Sequence, residues 1–259
     1  MLASLKDSRL KLKRARDDLA TLQDHVREFL EAEPYMVVLE MEKDRTEHVY
    51  YVYVRRNPPA YLGAIIGDVL HNLRSALDAI VWELSEKKDT LKDRELKSIQ
   101  FPICEDGTKY DESPARYASK AVRAEIKAAQ PYHSPVPSTH PLALINRNNL
   151  LDKHRTVPVI TTLIEGQSSS FAPPGIAYKQ DTAHVGPFED GAEIARFVFT
   201  EPQPMVDMKF KPFFDVAFEY PGNPAVDDLR FCIDYVERSV LPRFAPFCEP
   251  GALRRPLFD

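Results

Sequence analysis

Residues 145–156 read INRNNLLDKHRT. Arg147 is followed by Asn148, and His154 comes seven residues after the arginine, with Lys153 and Arg155 on either side. On a helix, a spacing of seven is two turns, so Arg147 and His154 share nearly one face. A guanidinium grips phosphate through its planar fork and stabilises developing negative charge. An imidazole beside guanidinium groups resists protonation and can act as a base near neutral pH. An arginine, an amide and a histidine in this arrangement can hold an anionic group and move a proton. A structural alternative exists: Lys, His and Arg gather at helix C-termini because cations favour the negative end of the dipole. That accounts for Lys153, His154 and Arg155 but not for Arg147 and Asn148.

A second polar set lies in residues 60–87. At about 100° per residue, Asp68, His71, Ser75, Asp78 and Trp82 fall in one narrow sector, with Asn72 at its margin and Arg74 nearer the apolar edge. A solvent face would carry Lys and Glu, not Ala76, Ala79 and Trp82, so another element is expected to cover this stripe. His71, Asn72, Arg74 and Asp78, together with Lys153 and Arg155, are then the residues expected to hold substrate. A metal-dependent reading uses Asp68 and His71 as a carboxylate-x-x-His pair, joined by Asp78 and His154. No second pair of this kind occurs, which counts against it. The structural alternative is a hydrogen-bonded network that sets helix register.

The elements that must position these residues follow from periodicity. Over residues 2–31, Leu5, Leu12, Leu19 and Val26 recur every seven, with Ala15, Leu22 and Phe29 three residues after, so a long helix is expected. Residues 35–41 and 48–55 read as a β-hairpin. The stripe of Ile66, Val69, Leu70, Leu73, Leu77, Ile80 and Leu84 predicts a helix over 60–87. A third helix is expected to start with Ser113 as its cap and Pro114 in its first turn. A fourth spans about Pro141 to His154. Four antiparallel strands follow Pro158, and a last helix carries Val226, Leu229, Ile233, Val236 and Val240. The fold class is α+β: an antiparallel helical bundle with an inserted antiparallel sheet and an N-terminal helix plus hairpin. The whole is read as one domain, with segments 1–56, 57–156, 157–222 and 223–259.

Composition narrows the function classes. The 259 residues are 44% hydrophobic, enough to bury a core, and the net charge of −5 gives no global pull toward nucleic acid or anionic membrane. RNA would have to use a local basic patch. Cys104, Cys232 and Cys248 are widely separated and form no CxxC, which argues against a disulfide framework or a cysteine zinc site. Charges at Lys6, Asp7 and Arg9 leave no room for a signal-peptide core, and no apolar run approaches a membrane span, so a cytoplasmic protein is expected. Nucleotide loops and the GxSxG elbow are missing.

The Arg147, Asn148, His154 pattern resembles the signature of the HEPN superfamily, helical-bundle proteins many of which are metal-independent ribonucleases of toxin–antitoxin and phage-defence systems. The resemblance implies an RNA substrate, a homodimer with facing sites and a cognate antitoxin. A second resemblance covers most of the chain. "GDVLHNLRSALDAIVWEL", "FPI", "QPYH", "HPLALI" and "DKHR", in this order, resemble a bacterial protein family common in actinobacteria, to which no activity is attached. Its members often have a histidine after "ALD", where this chain has Ala79. A third possibility is a non-catalytic interaction module, for which the hairpin strand VYYVYV offers an edge.

Overall fold

The computed structural model describes residues 4–86, 88–152, 157, 159–163, 168–172, 178–202, 207–211, 214–218 and 223–254. The chain is α+β. In order it runs α1 (Lys6–Glu31), β1 (Tyr35–Met41), β2 (Glu47–Val54), α2 (Ala60–Leu84), the one-turn α3 (Asp93–Leu96), α4 (Lys120–Ala128), α5 (Pro141–Asp152), β3 (Val159–Leu163), β4 (Ser168–Ala172), β5 (Tyr178–Ala183), β6 (Gly186–Pro187), β7 (Ala192–Phe199), β8 (Asp207–Lys211), β9 (Phe214–Phe218) and α6 (Ala225–Tyr235). Among the described residues no helix is long and apolar enough to cross a membrane. Contacts divide the chain into two compact units. One holds Met1–Thr21, Ala64–Val157 and Asp228–Asp259; the other holds Leu22–Gly63 and Pro158–Asp227.

The first unit is helical. α2 buries one long face: Ile66, Val69, Leu73, Ala76, Leu77, Ile80 and Val81 are fully shielded from solvent. At 100° per residue these fall in one sector of about 140°, the width of an ordinary core face. α2 stops at Leu84, short of the expected residue 87. The Ser85 hydroxyl turns back onto the Val81 carbonyl at 2.7 Å, and Ser85 forms a β-bridge with Ala118. That bridge also explains a second difference. The Glu86 N–H donates to the Tyr117 carbonyl and Ala118 bridges Ser85, so residues 113–115 make only a single 3-10 turn that runs into a further turn. α4 begins later, capped by Ser119, whose hydroxyl accepts from the Val122 N–H at 3.3 Å.

α5 is capped by an imidazole. The Leu142 N–H donates to His140 Nδ1 at 3.2 Å, which leaves the ring proton on Nε2, 3.0 Å from the Tyr235 hydroxyl. α6 continues through a π-helical turn at Val236–Val240, where the Leu241 N–H reaches back to the Val236 carbonyl. Pro242 follows, with no N–H to continue an α-helical ladder. Leu229, Ile233, Val236 and Val240 are fully buried, as the periodicity requires.

The second unit holds the strands. β1 and β2 form the expected hairpin, but the hairpin does not stand apart from the later strands. It joins them in a four-stranded antiparallel sheet of order β1–β2–β7–β5. VYYVYV is therefore an interior strand, paired on both sides, and offers no edge. β3, β6 and β9 make a second sheet, and β4 pairs with β8. Tyr35 ties this unit together. Its ring meets Phe29, Phe188 and Phe214 at 6.1, 5.6 and 4.7 Å, and its hydroxyl shares a 2.8 Å hydrogen bond with Thr161 on β3. Burial pushes its phenol up to about 12, so it stays a neutral hydrogen-bonding group.

The His140 cap gives a pH dependence. Burial lowers the imidazole below its ordinary 6.5. The folded chain then binds fewer protons than the unfolded one, and stability falls as pH drops below about 6.5. In thermal unfolding followed by circular dichroism, wild type loses stability from this group as pH falls from 7 to 5. His140→Asn keeps a cap and flattens that part of the profile. Identical pH profiles for the two proteins contradict the assignment.

Candidate functional site

The expected site residues do not all share one place. Arg147, on α5, donates to the Ser138 carbonyl at 3.1 Å and lies 3.5 Å from the Glu105 carboxylate, with its side chain 27% exposed. Asn148 is buried and donates to the Leu144 carbonyl of its own helix at 3.1 Å. A side chain held there does not reach a substrate at the surface. Lys153, His154 and Arg155 lie outside the described residues.

On α2, Asp68 and His71 are exposed, so the upper part of the polar stripe is not covered as expected. His71 Nε2 is 3.5 Å from the Ser75 hydroxyl, one turn on. Asn72 is buried and donates to the Asp68 carbonyl at 3.0 Å and to the Asp18 carboxylate at 3.2 Å. Burial is the main cause that raises Asp18 above its ordinary range, with the Asp68 charge adding to it and Arg14 opposing. Among the described residues, no three His, Cys, Asp or Glu side chains gather in a way that could hold a metal. Asp68, His71 and Asp78 thus do not assemble the metal set expected of them, and Asp78 has other work.

That work is a clasp on the main chain. Arg74 and Asp78, one turn apart, form a forked ion pair with distances of 2.9 and 3.3 Å. The same pair grips Phe101 from both sides: Arg74 Nη2 donates to its carbonyl at 2.8 Å, and its N–H donates to Asp78 Oδ1 at 2.8 Å. Arg74 Nη1 also lies 3.5 Å from Asn146 on α5. Two residues on, Gln130 takes over. Its amide donates to the Pro102 carbonyl at 2.8 Å and the Ile126 carbonyl at 3.0 Å, while its oxygen accepts from the Cys104 N–H at 2.9 Å. Gln130 is 1% exposed, and Phe101 is fully buried. Among the described residues no strand pairs with the piece FPIC, and side chains of α2 and of the turn after α4 stand in for one.

This clasp gives several of the quoted motifs a shared structural reason. "LRSALD" contributes Arg74 and Asp78, "FPI" is the segment held, "QPYH" contributes Gln130, and "HPLALI" opens with the His140 cap. Gln130 was not singled out from the sequence. A glutamine before a proline carries no signal until the partner segment, 28 residues away in the chain, is brought against it.

What stays open is a groove along the first unit. Asp7, Leu10 and Lys11 form one wall, Ser75, Asp78, Ala79 and Trp82 the other, and Ile99 contributes to the lining, around a volume of about 470 Å³. Sequence reasoning placed Ser75, Asp78 and Trp82 on one face, which is how they line this groove. The opposite wall, the element expected to face this stripe, comes from α1. Trp82, the single tryptophan, is 40% exposed. Lys88 lies 5.3 Å from its ring centre and donates to its carbonyl at 2.6 Å. Comparison of the chain with family models, with curated proteins and with solved structures finds no match.

The clasp sets an energetic test. Arg74→Leu removes the guanidinium from Asp78 and from the Phe101 carbonyl, and Gln130→Leu removes the amide from the Pro102 carbonyl and the Cys104 N–H. Each costs about 2 kcal/mol in urea unfolding. Because both hold one segment, the double variant loses less than the sum. Strict additivity, or losses below about 0.5 kcal/mol, would show that solvent replaces the clasp.

Proposed function

We propose that this protein is a binding module whose recognition site is the groove at Trp82, and that the occupant is a peptide segment of a protein partner. The observation that carries this reading is the exposure of the only tryptophan on the wall of an open groove, beside Leu10 and Ile99. A large rigid ring with an apolar surround is the usual anchor point of a protein contact. The charges in the lining favour a peptide over RNA. Asp7 and Asp78 stand against Lys11, so a phosphate backbone meets no net attraction there. The resemblance to the actinobacterial family adds a second argument. The histidine common after "ALD" in that family corresponds to Ala79, which lines this same groove. This chain therefore presents a methyl group where an imidazole would stand.

Metal-independent RNA cleavage by a HEPN-like site is a second reading, favoured by one observation. The Arg147 guanidinium is partly exposed, and its contact with Glu105 is long enough for a phosphate to displace. His154 would supply the proton transfer in that reading, on a homodimer that an antitoxin could neutralise.

Two measurements separate these readings. The emission of the lone tryptophan reports groove occupancy directly. Peptides selected by phage display against the wild type should shift that emission, and Trp82→Ala should weaken them about 30-fold while circular dichroism stays unchanged. Peptides that bind Trp82→Ala equally well would overturn the groove assignment. Separately, total RNA is incubated in EDTA with wild type and with His154→Ala. The binding-module reading expects RNA to stay intact with both. Cleavage by the wild type alone would establish the nuclease reading in its place.

A further inference from the structure

The four-stranded sheet of the second unit has two edges, and the chain treats them differently. β5, at one edge, reads YKQDTA, and its register against β7 shifts between Tyr178 and Gln180. Charges and a bulge are the ordinary means of keeping an edge strand from pairing again. β1, at the other edge, reads YMVVLEM. It is seven residues long, its register against β2 is unbroken, and it holds no Pro, no Lys and a single charge, Glu40. No strand among the described residues pairs with its outer side. Of the nine large apolar side chains exposed among the described residues, three are on this strand: Met36, Leu39 and Met41, at 38, 37 and 50%.

The direction of its free main-chain groups follows from the ladder. The Glu42 N–H donates to the Glu47 carbonyl, and the Arg55 N–H donates to the Pro34 carbonyl. Even-numbered residues of β1 therefore face β2, and the N–H and C=O groups of Tyr35, Val37, Leu39 and Met41 point outward. These four residues are symmetric about Val38. If a second copy of the strand is laid antiparallel about that point, Val37 stands opposite Leu39 and Tyr35 opposite Met41. Every outward group then finds a partner, about eight hydrogen bonds in all. Glu40 falls opposite Met36, and the two Glu40 side chains are about 14 Å apart along the strands. No like charges meet.

We propose that β1 is a homodimer interface: the outer edges of two copies pair antiparallel about Val38 and join the two four-stranded sheets into one of eight strands. The occupant is a second copy of this chain because the outward hydrogen-bonding pattern, the apolar sequence and the placement of the single charge are all complementary to themselves. This assignment does not depend on the Trp82 groove, which belongs to the other unit.

The register makes the interface testable at single residues. Val38 faces its own copy in a non-hydrogen-bonded pair, with Cα atoms about 4.5 Å apart, within disulfide range. Met36 is on the same face, but its own copy is about 14 Å away. Under mild oxidation, Val38→Cys in the full chain should form a cross-linked dimer on a non-reducing gel, and Met36→Cys and wild type should not. Wild type should sediment as a dimer at tens of micromolar. Leu39→Lys places two cations about 7–8 Å apart across the interface and should weaken association at least tenfold. Leu39→Pro removes only an outward N–H and should do the same while leaving the hairpin paired. If either Leu39 variant misfolds, the two cysteine variants decide, since neither disturbs the ladder to β2. A wild type that is monomeric at every concentration overturns the proposal and leaves the edge open to a strand of another protein. A dimer that survives both Leu39 variants, or that cross-links equally through residues 36 and 38, overturns it as well.

Discussion

An extended segment buried without a neighbouring strand must find partners for its main chain, and in this protein that requirement organises the helical unit. Residues 101–104 are in this position. Phe101 is fully buried, and the polar groups around it are met by Arg74, Asp78 and Gln130. The arginine and aspartate sit one turn apart on α2, beside its buried apolar face. Their charges are therefore spent on holding a chain segment. The same economy governs Asn72 and Asn148, which return hydrogen bonds to carbonyls of their own helices. Residues that read as a substrate groove are largely the groups that let helices and an irregular segment pack without stranding a donor or acceptor.

Function is then sought where groups are left over. In the helical unit the remainder is the open wall of Ser75, Ala79 and Trp82 facing Leu10 and Lys11. In the strand unit it is the outer side of β1. These places share a physical character. Each exposes apolar surface that the unit could have covered and did not. Such surfaces are costly to leave in water, which is the reason to read them as contacts.

Much of this was legible in the sequence. The heptad-like stripe from Leu5 to Phe29 is buried along its length, and Val226 to Val240 lie on one buried face, because helical periodicity is a local property that survives packing. The hairpin of residues 35–41 and 48–55 formed where β-branched and aromatic residues predicted it. The start of α4 did not follow its local signals. Ser113 and Pro114 carry a good helix-start pattern, yet with Ala118 bridged to Ser85 the α-helix starts only after Ser119. No single-sequence signal reports a bridge between residues 33 apart. For the same reason VYYVYV looked like an edge, since its second neighbour, β7, lies more than a hundred residues away in the chain.

The sequence by itself determined the α+β class, the helical faces and the polar residue types on α2, since each depends on periods of two or three to four residues. Tertiary structure alone decided what those polar residues do. Whether Arg74 meets a phosphate or a carbonyl, and which face of α2 stays open, depends on the segment brought against it from elsewhere in the chain. A guanidinium fork binds any oxygen acceptor of the right geometry, and here the nearest is the main chain of Phe101.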